Sequence, residues 1–157
     1  MVDFDFKSNY NFYDLVTIMK ILRGPEGCPW DREQSHKSIR RDFLEETYEA
    51  IEAIDTDDTE LLQEELGDVL LQVVFHSQIE DDAGSFNVDD VCDGICKKLI
   101  IRHPHVFGDV SAEDSETVLK NWYAIKMQTK SQETLSEVMH SVSPAMPAPP
   151  ICLCFFL

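Results

Sequence analysis

Acidic residues are concentrated in two short segments near the middle of the sequence. Five carboxylates lie in FLEETYEAIEAID, residues 43–55, and three more lie in EELGD, residues 64–68. Like charges this close repel one another, and an ionised carboxylate removed from water is costly unless it is paired or binds a metal. The two segments therefore form either a solvated helix face or a metal site.

The spacing of the carboxylates suits metal binding. In a helix, residues three and four apart share a face, which pairs Glu46 with Glu49 and Glu65 with Asp68. Two such pairs on neighbouring antiparallel helices would converge into a site with four oxygen ligands. Oxygen-only ligation favours Mg²⁺ or Mn²⁺ over zinc, and Mg²⁺ keeps coordination positions open for water and phosphate. The pattern therefore points to phosphate chemistry.

The alternative interpretation of the first segment is a charged face in contact with water. Leu44, Tyr48 and Ile51 lie opposite the acids, so this helix is amphipathic and can simply present its carboxylates to solvent.

The second segment weakens that interpretation. Residues 66–75 are apolar almost all round, and such a helix must be largely buried. A single polar line with spacings of three and four runs along it, formed by Glu65, Asp68, Gln72 and His76. Buried carboxylates that face other carboxylates need a cation, so the metal site is the preferred hypothesis.

Helical periodicity dominates the chain, which predicts an all-α bundle of four to five helices. We expect one domain at residues 1–130 and a proline-rich tail at residues 131–157 outside the bundle. A loop is predicted at residues 24–34, and Thr59 and Asn87 are predicted helix caps. The predicted helices cover residues 13–23, from 35–38 to 55, 60–82, from 87 to 102, and from 111–114 to 130.

Composition excludes several classes of function. The 13 Lys and Arg against 30 Asp and Glu give a net charge of −17, which disfavours binding to nucleic acid or an anionic membrane. No membrane-spanning run or secretion signal is visible, so we expect a soluble, cytoplasmic protein. The five cysteines contain no CxxC pair and are predicted to be buried free thiols. The HPH sequence at residues 103–105 lacks a third nearby histidine, so no zinc site is expected there.

The carboxylate pattern also resembles that of a known family. EETYE, then 15 residues, then ELGD matches the EExxE…ExxD pattern of the MazG nucleoside triphosphate pyrophosphohydrolases. The resemblance runs from about residue 22 to residue 130 and includes one copy of the domain. Four further segments look like those of the family and occur in the same order: LRGPEGCPWDREQSHKSIR, EELGDVLLQVVFHSQI, KLIIRHPHVFGD and NWYAIK.

The resemblance implies a Mg²⁺-dependent enzyme, with Mn²⁺ as a possible substitute, that splits nucleoside triphosphates into a monophosphate and pyrophosphate. Such an enzyme serves nucleotide-pool house-cleaning or the control of a nucleotide signal. Within the predicted tail at residues 131–157, SEVMHSVSPAMPA at residues 136–148 then resembles the family's connector, whereas the last residues do not continue it. By position, the implied metal ligands are Glu46, Glu49, Glu65 and Asp68.

Further site residues also follow from the resemblance. Glu45 would hold a second metal or orient water, so the implied catalytic residues are Glu45, Glu46 and Glu49. The implied nucleotide contacts are Lys98, Arg102, Trp122, Lys126 and Trp30, although Lys98 and Arg102 can also serve a helix C-terminus and the tryptophans can be packing residues.

Two other functions stay open at this point. One is a catalytically silent interaction module that retains an acidic face, although every ligand position is present. The other is a narrower dCTP- or dUTP-cleaving pyrophosphatase of the same superfamily, although CPWD and RHPHVFGD favour MazG. We also predict a homodimer or a dimer of dimers, because residues 66–75 need more cover than one small bundle provides. The family resemblance implies the same assembly.

Overall fold

The computed structural model describes residues 4–112 and 114–129, together with the isolated positions 137, 143 and 145. The predicted tail at residues 131–157 therefore lies outside the described residues except at those three positions. Within the described ranges the chain is helical and contains no strand, which confirms the all-α prediction. The helices, in order, are α1 Phe12–Arg23, α2 Pro29–Glu33, α3 Arg40–Asp55, α4 Thr59–Ala83, α5 Val88–Arg102, α6 Pro104–Phe107 and α7 Ser115–Thr129.

The chain divides into two compact units, residues 1–94 and 95–157, with the boundary inside α5. The core of the first unit consists of Met19, Ile39, Val74, Phe75 and Val88. These residues come from α1, α4, the start of α5 and the residue before α3, so the core joins elements that are distant in sequence. No helix among the described residues combines the length and apolar composition needed to cross a bilayer.

The observed helix ends agree with the sequence-based prediction where capping residues within one turn determine them. Asn11 caps α1 by accepting hydrogen bonds from the backbone of Tyr13 and Asp14. Asn87 caps α5 in the same way, and Asp90 accepts a bond from the Asn87 backbone in return, as predicted. Helix α4 ends at Gly84, whose φ of 74° lies in the left-handed region that glycine adopts easily.

Three predictions about the helices are wrong. The described residues form seven helices rather than four to five, because α2 and α6 are short helices that the periodicity did not indicate. The cap of α4 is Asp58, not Thr59, because the Asp58 carboxylate accepts hydrogen bonds from the backbone N–H groups of Glu60 and Leu61. The predicted loop at residues 24–34 contains α2, which starts at a proline, the residue best suited to the first helical position.

Arg23 joins α1 to the end of α4 and to the segment after α2. Its side chain donates to a carboxylate oxygen of Asp82 at 2.7 Å and to the carbonyl oxygens of Asp31 at 2.6 Å and Gln34 at 3.3 Å. The guanidinium also lies 5.5 Å from the ring centroid of Phe75. This buried cation fixes the position of the α2 segment relative to the core of the first unit.

Candidate active site

Helices α3 and α4 run antiparallel and bring three of the predicted ligands together. The Phe43 ring near the start of α3 lies 5.5 Å from His76 in the second half of α4, whereas Glu49 lies beside Glu65 in the first half. One oxygen atom from each of Glu46, Glu49 and Glu65 lies within 4.8 Å of the others. We call these three residues and Asp68 the acidic cluster.

The electrostatics of the acidic cluster are unfavourable without a cation. Glu65 is only 8% exposed, and its Oε2 atom is buried without a hydrogen-bond partner in the structure. Burial raises the pKa of Glu65, and the nearby charges of Glu49 and Asp68 raise it further. Burial also raises the pKa of Glu46, with added repulsion from Asp68, Glu49 and Glu65. The folded state therefore favours the protonated forms of these two carboxyls over their charged forms.

Asp68 belongs to the cluster by charge rather than by close approach. It is not one of the three residues whose oxygen atoms converge within 4.8 Å. Its negative charge nevertheless contributes to the raised pKa values of Glu46 and Glu65, which shows that it faces them from α4.

Glu45 lies apart from the converging oxygen atoms. It is exposed, and its carboxylate lies 3.8 Å from Nε of Arg41 on the same helix. Its implied part in catalysis stays a prediction, because the structure does not place its carboxylate among the converging oxygens.

The donor set fits a hard divalent cation. All four side chains offer carboxylate oxygens, and no Lys or Arg of the described residues forms an ion pair with any of them. A divalent cation bound here would satisfy the buried, unpaired carboxylate oxygen of Glu65 next to two other carboxylates. Oxygen ligands without nitrogen or sulfur suit Mg²⁺ or Mn²⁺.

The solvated-face interpretation of α3 holds only in part, because Glu45, Glu49 and Glu52 are exposed whereas Glu46 is half-buried beside Glu65. Ala50 and Ala53, which face the core, are buried, and at about 100° per residue Glu46 lies within about 40° of both. The apolar stripe lies on the far side of α3 and is exposed by 50% at Leu44, 47% at Tyr48 and 44% at Ile51. The helix thus presents carboxylates to its neighbour and apolar side chains to the outside.

The second unit gathers three of the implied nucleotide contacts. The guanidinium of Arg102 lies 4.8 Å from the ring centroid of Trp122, and Nζ of Lys126 lies 4.9 Å from the same centroid. Arg102 is buried, whereas Lys98, one turn earlier on α5, is exposed. An aromatic face between two cations is suited to a base and a phosphate, but it is also an ordinary cation–π arrangement.

Trp30 does not belong to either group. Its side chain is 57% exposed on α2, and its ring contacts Phe75 edge-on at 6.5 Å. Packing and solvent therefore account for its surroundings in this structure.

The structure also joins two histidines that the sequence analysis did not connect. Nδ1 of His36 lies 2.7 Å from Nδ1 of His76, and Nε2 of His36 lies 2.6 Å from a carboxylate oxygen of Glu80. The two imidazole rings stack with centroids 5.0 Å apart. His76 was visible as the end of the polar line on α4, but nothing in the sequence near His36 signalled the pairing.

Two of the remaining predictions concern cysteine and zinc. Cys28, Cys92 and Cys96 are free as predicted, but Cys92 and Cys96 are exposed, so the prediction of buried thiols is wrong for both. At HPH, a short helix α6 begins at Pro104, and no metal-ligand cluster other than the acidic one occurs in the described part of the chain.

Comparison with known proteins places this geometry in a family. Residues 34–107 match the model of the MazG nucleotide pyrophosphohydrolase domain. The chain is 48% identical over 137 residues to the nucleoside triphosphate pyrophosphohydrolase/pyrophosphatase MazG of Thermotoga maritima, covering 87% of this chain and 52% of that protein.

Two further relatives extend the comparison. The chain is 46% identical over 135 residues to a nucleoside triphosphate pyrophosphohydrolase of Escherichia coli, covering 85% of this chain and 51% of that protein. It is 48% identical over 139 residues to the uncharacterized protein YabN of Bacillus subtilis, covering 88% of this chain and 28% of that protein. The chain thus spans about half the length of the first two relatives and less of the third. These matches show that residues 34–107, which contain the acidic cluster on α3 and α4, form a MazG nucleotide pyrophosphohydrolase domain.

Proposed function

We propose that this chain hydrolyses nucleoside triphosphates to a nucleoside monophosphate and pyrophosphate in the presence of Mg²⁺ or Mn²⁺. The observation that carries the proposal is the convergence of Glu46, Glu49 and Glu65 at two facing helices, with one buried carboxylate oxygen left unpaired. Hydrolysis of a phosphoanhydride needs charge neutralisation more than covalent chemistry from the protein. A cluster of carboxylates that holds a divalent cation supplies the platform for it.

The four residues of the acidic cluster would hold the metal, with Glu46 and Glu49 on one helix and Glu65 and Asp68 on the other. A bound divalent cation would neutralise charge on the phosphates and acidify a water molecule. We keep Glu45 as a proposed catalytic residue, because it occupies the first position of the EExxE pattern, directly before Glu46. Its exposed carboxylate would hold a second metal or orient the attacking water.

The nucleotide contacts are proposed on chemical grounds. Arg102 and Lys126 carry the positive charge that a triphosphate needs on a chain of net charge −17. Trp122 lies between them and would position both cations through its cation–π contacts. Lys98 and Trp30 are exposed and remain the more peripheral candidates.

A matched pair of variants tests the function. We expect the purified chain to release pyrophosphate from several nucleoside triphosphates, and Glu49→Gln to reduce kcat at least about a hundredfold through loss of a metal ligand. Glu52→Gln removes an exposed carboxylate from the same helix and should leave kcat unchanged. Orthophosphate as the sole initial product, or equal activity of the two variants, contradicts the proposal.

The assembly we propose is a homodimer or a dimer of dimers, and the reason differs in part from the one the sequence offered. Val74 and Phe75 of α4 are buried within the chain, so they need no partner. The exposed apolar side chains of α3 and α4 include Leu66 and Leu70 in the first half of α4 and the stripe on α3. An exposed apolar face of this kind supports a protein interface.

Two tyrosines provide a matched test of the dimer. Tyr48→Lys alters the proposed interface, whereas Tyr13→Lys alters an exposed tyrosine on α1 that is 69% accessible. Light scattering should show a dimer for the wild type and for Tyr13→Lys, and dissociation for Tyr48→Lys. A wild-type monomer of 18.0 kDa at micromolar concentration contradicts the proposal.

We also propose a domain boundary and a cellular location for the protein. Residues 1–130 would form the catalytic domain and residues 131–157 a connector. A nucleotide substrate and free thiols fit a cytoplasmic protein. The cellular role would be nucleotide-pool house-cleaning or control of a nucleotide signal.

A further inference from the structure

The first unit contains a cavity that the metal chemistry does not use. It has a volume of about 380 Å³, and its lining includes His36, Arg40, Phe43, His76, Phe86 and Val91. The volume lies in the range of small-molecule pockets, and the combination of aromatic walls with a few polar groups is typical of them.

The cavity lies along the same two helices as the acidic cluster. Phe43 is three residues before Glu46 on α3, and His76 is eight residues after Asp68 on α4, or about 12 Å along the helix axis at 1.5 Å per residue. Between them, Gln72 is buried and its side-chain oxygen lacks a hydrogen-bond partner. A nucleotide with its phosphates at the cluster would extend along this line and reach the cavity with its base.

A chain of hydrogen bonds defines which atom of His76 is free. The ionised Glu80 carboxylate only accepts, so Nε2 of His36 donates to it at 2.6 Å. When His36 is neutral, its Nδ1 must therefore accept, and Nδ1–H of His76 donates to it at 2.7 Å. This leaves Nε2 of His76 with a lone pair and no partner among the described residues. With His36 neutral, the pair of histidines presents Nε2 of His76 as a hydrogen-bond acceptor.

Arg40 provides the complementary group at the same cavity. Its guanidinium is exposed and only donates hydrogen bonds. A carbonyl oxygen accepts strongly from such a cation, whereas an exocyclic amino group next to it would oppose one donor with another. The acceptor on His76 and the donor on Arg40 therefore match a base edge with an N–H next to a C=O.

We propose that this cavity binds the nucleobase and selects bases with such a lactam edge, hypoxanthine, guanine, uracil and thymine, through His76 Nε2 and the guanidinium of Arg40. Adenine and cytosine carry an amino group at the position of the carbonyl and fit less well. The inference rests on the proposed function, because it names the base that the same site would favour.

Two pairs of substrates test whether the cavity recognises the lactam edge of the base. ITP and ATP differ at the six-position of the purine, and UTP and CTP differ at the four-position of the pyrimidine. At pH 8.5, above the ordinary histidine pKa of 6.5, we expect kcat/KM to be about tenfold higher for ITP than for ATP and for UTP than for CTP. Equal values in both pairs, or a preference for ATP and CTP, overturn the proposal.

Variants of Arg40 and His76 test whether these two residues cause the base preference. Arg40→Met keeps the length of the side chain but removes its donors and should bring both ratios to within about twofold of one. His76→Phe keeps the aromatic ring but removes the acceptor and should do the same. Lys37→Met removes a neighbouring exposed cation that does not line the cavity and should preserve both ratios. Ratios that survive both Arg40→Met and His76→Phe overturn the proposal.

A second measurement separates failure of this inference from failure of the proposed function. In a metal-free titration followed by NMR, inosine should shift the His76 ring signals of the full chain at lower concentration than adenosine, and Arg40→Met should abolish the difference. If no triphosphate is hydrolysed but inosine is preferred, the proposed function fails and the cavity assignment stands. If triphosphates are hydrolysed but neither nucleoside shifts His76, the cavity assignment fails.

Discussion

The raised pKa values of Glu46 and Glu65 predict that protons and Mg²⁺ compete for the acidic cluster. The folded chain binds protons at these two carboxyls more tightly than the unfolded chain does, where their ordinary pKa is 4.5. The stability gained from that protonation is fully present below pH 4.5 and is lost as pH rises through the raised folded-state values. Above them the metal-free cluster is a concentration of negative charge, and a cation restores the stability.

Glu65→Gln separates the two effects. The amide keeps the shape of the buried side chain but cannot ionise, so in EDTA the variant should be more stable than the wild type at pH 8, and the difference should vanish near pH 4. With Mg²⁺ at 100 times its dissociation constant, the wild type should gain about 2.7 kcal/mol. For a chain of this length that corresponds to a rise in Tm of about 8 °C at pH 8. The variant, which lacks one ligand, should gain less than about 3 °C.

Thermal melts followed by circular dichroism at pH 5 and pH 8, in EDTA and in Mg²⁺, measure all of these differences. Glu52→Gln is the matched control, because it removes an exposed carboxylate from α3 outside the cluster and should follow the wild type in every condition. At pH 5 the shift produced by Mg²⁺ should fall to less than half of its value at pH 8. The reasoning is refuted if Glu65→Gln is less stable than the wild type in EDTA at pH 8, or if Mg²⁺ raises both Tm values equally.

Two further predictions concern the stability of the first unit and use urea unfolding. Arg23→Met should cost about 3 kcal/mol, because it leaves two half-buried backbone carbonyl oxygens and the Asp82 carboxylate without their donor. Lys20→Met, whose side chain is 71% exposed in its ion pair, should cost less than about 0.5 kcal/mol. Equal losses of unfolding free energy in the two variants would show that Arg23 does not hold α1, α2 and α4 together. Gly27→Ala should cost more than about 2 kcal/mol, because the added Cβ would overlap the backbone carbonyl oxygen of Ile21. Gly94→Ala, which meets no atom within 4 Å, should be neutral or stabilising, and a Gly27→Ala variant as stable as this control would contradict the argument.

Features set by a few consecutive residues could be predicted from the sequence. The box formed by Asn87 and Asp90 is an example, since both partners lie within one turn. The i,i+3 spacing of Glu46 with Glu49 also sufficed to place both on one face of a helix. The cap of α4 was misplaced by one residue because Asp58 and Thr59 are both good capping residues, and only the backbone geometry decides between them.

Features that depend on contacts between distant segments could not be predicted. The ring pair of His36 and His76 joins positions 40 residues apart, and no periodicity connects a residue before α3 with the second half of α4. Cys92 and Cys96 were expected to be buried because free cysteine usually is, but they lie on a part of α5 that is exposed throughout. Composition gives the average preference of a residue type, not the side of the helix that the fold covers.

The orientation of α3 shows where the usual amphipathic argument fails. That argument places apolar side chains toward the core and acids toward water, and it would have put Leu44, Tyr48 and Ile51 inside. The structure instead buries the two alanines, whose small side chains let α3 approach α4 closely enough for Glu46 and Glu65 to meet. A helix oriented in this way loses hydrophobic burial on one side and suffers charge repulsion on the other. Binding of the proposed cation between the helices would remove the charge repulsion, and the proposed dimer would recover hydrophobic burial by covering the apolar stripe.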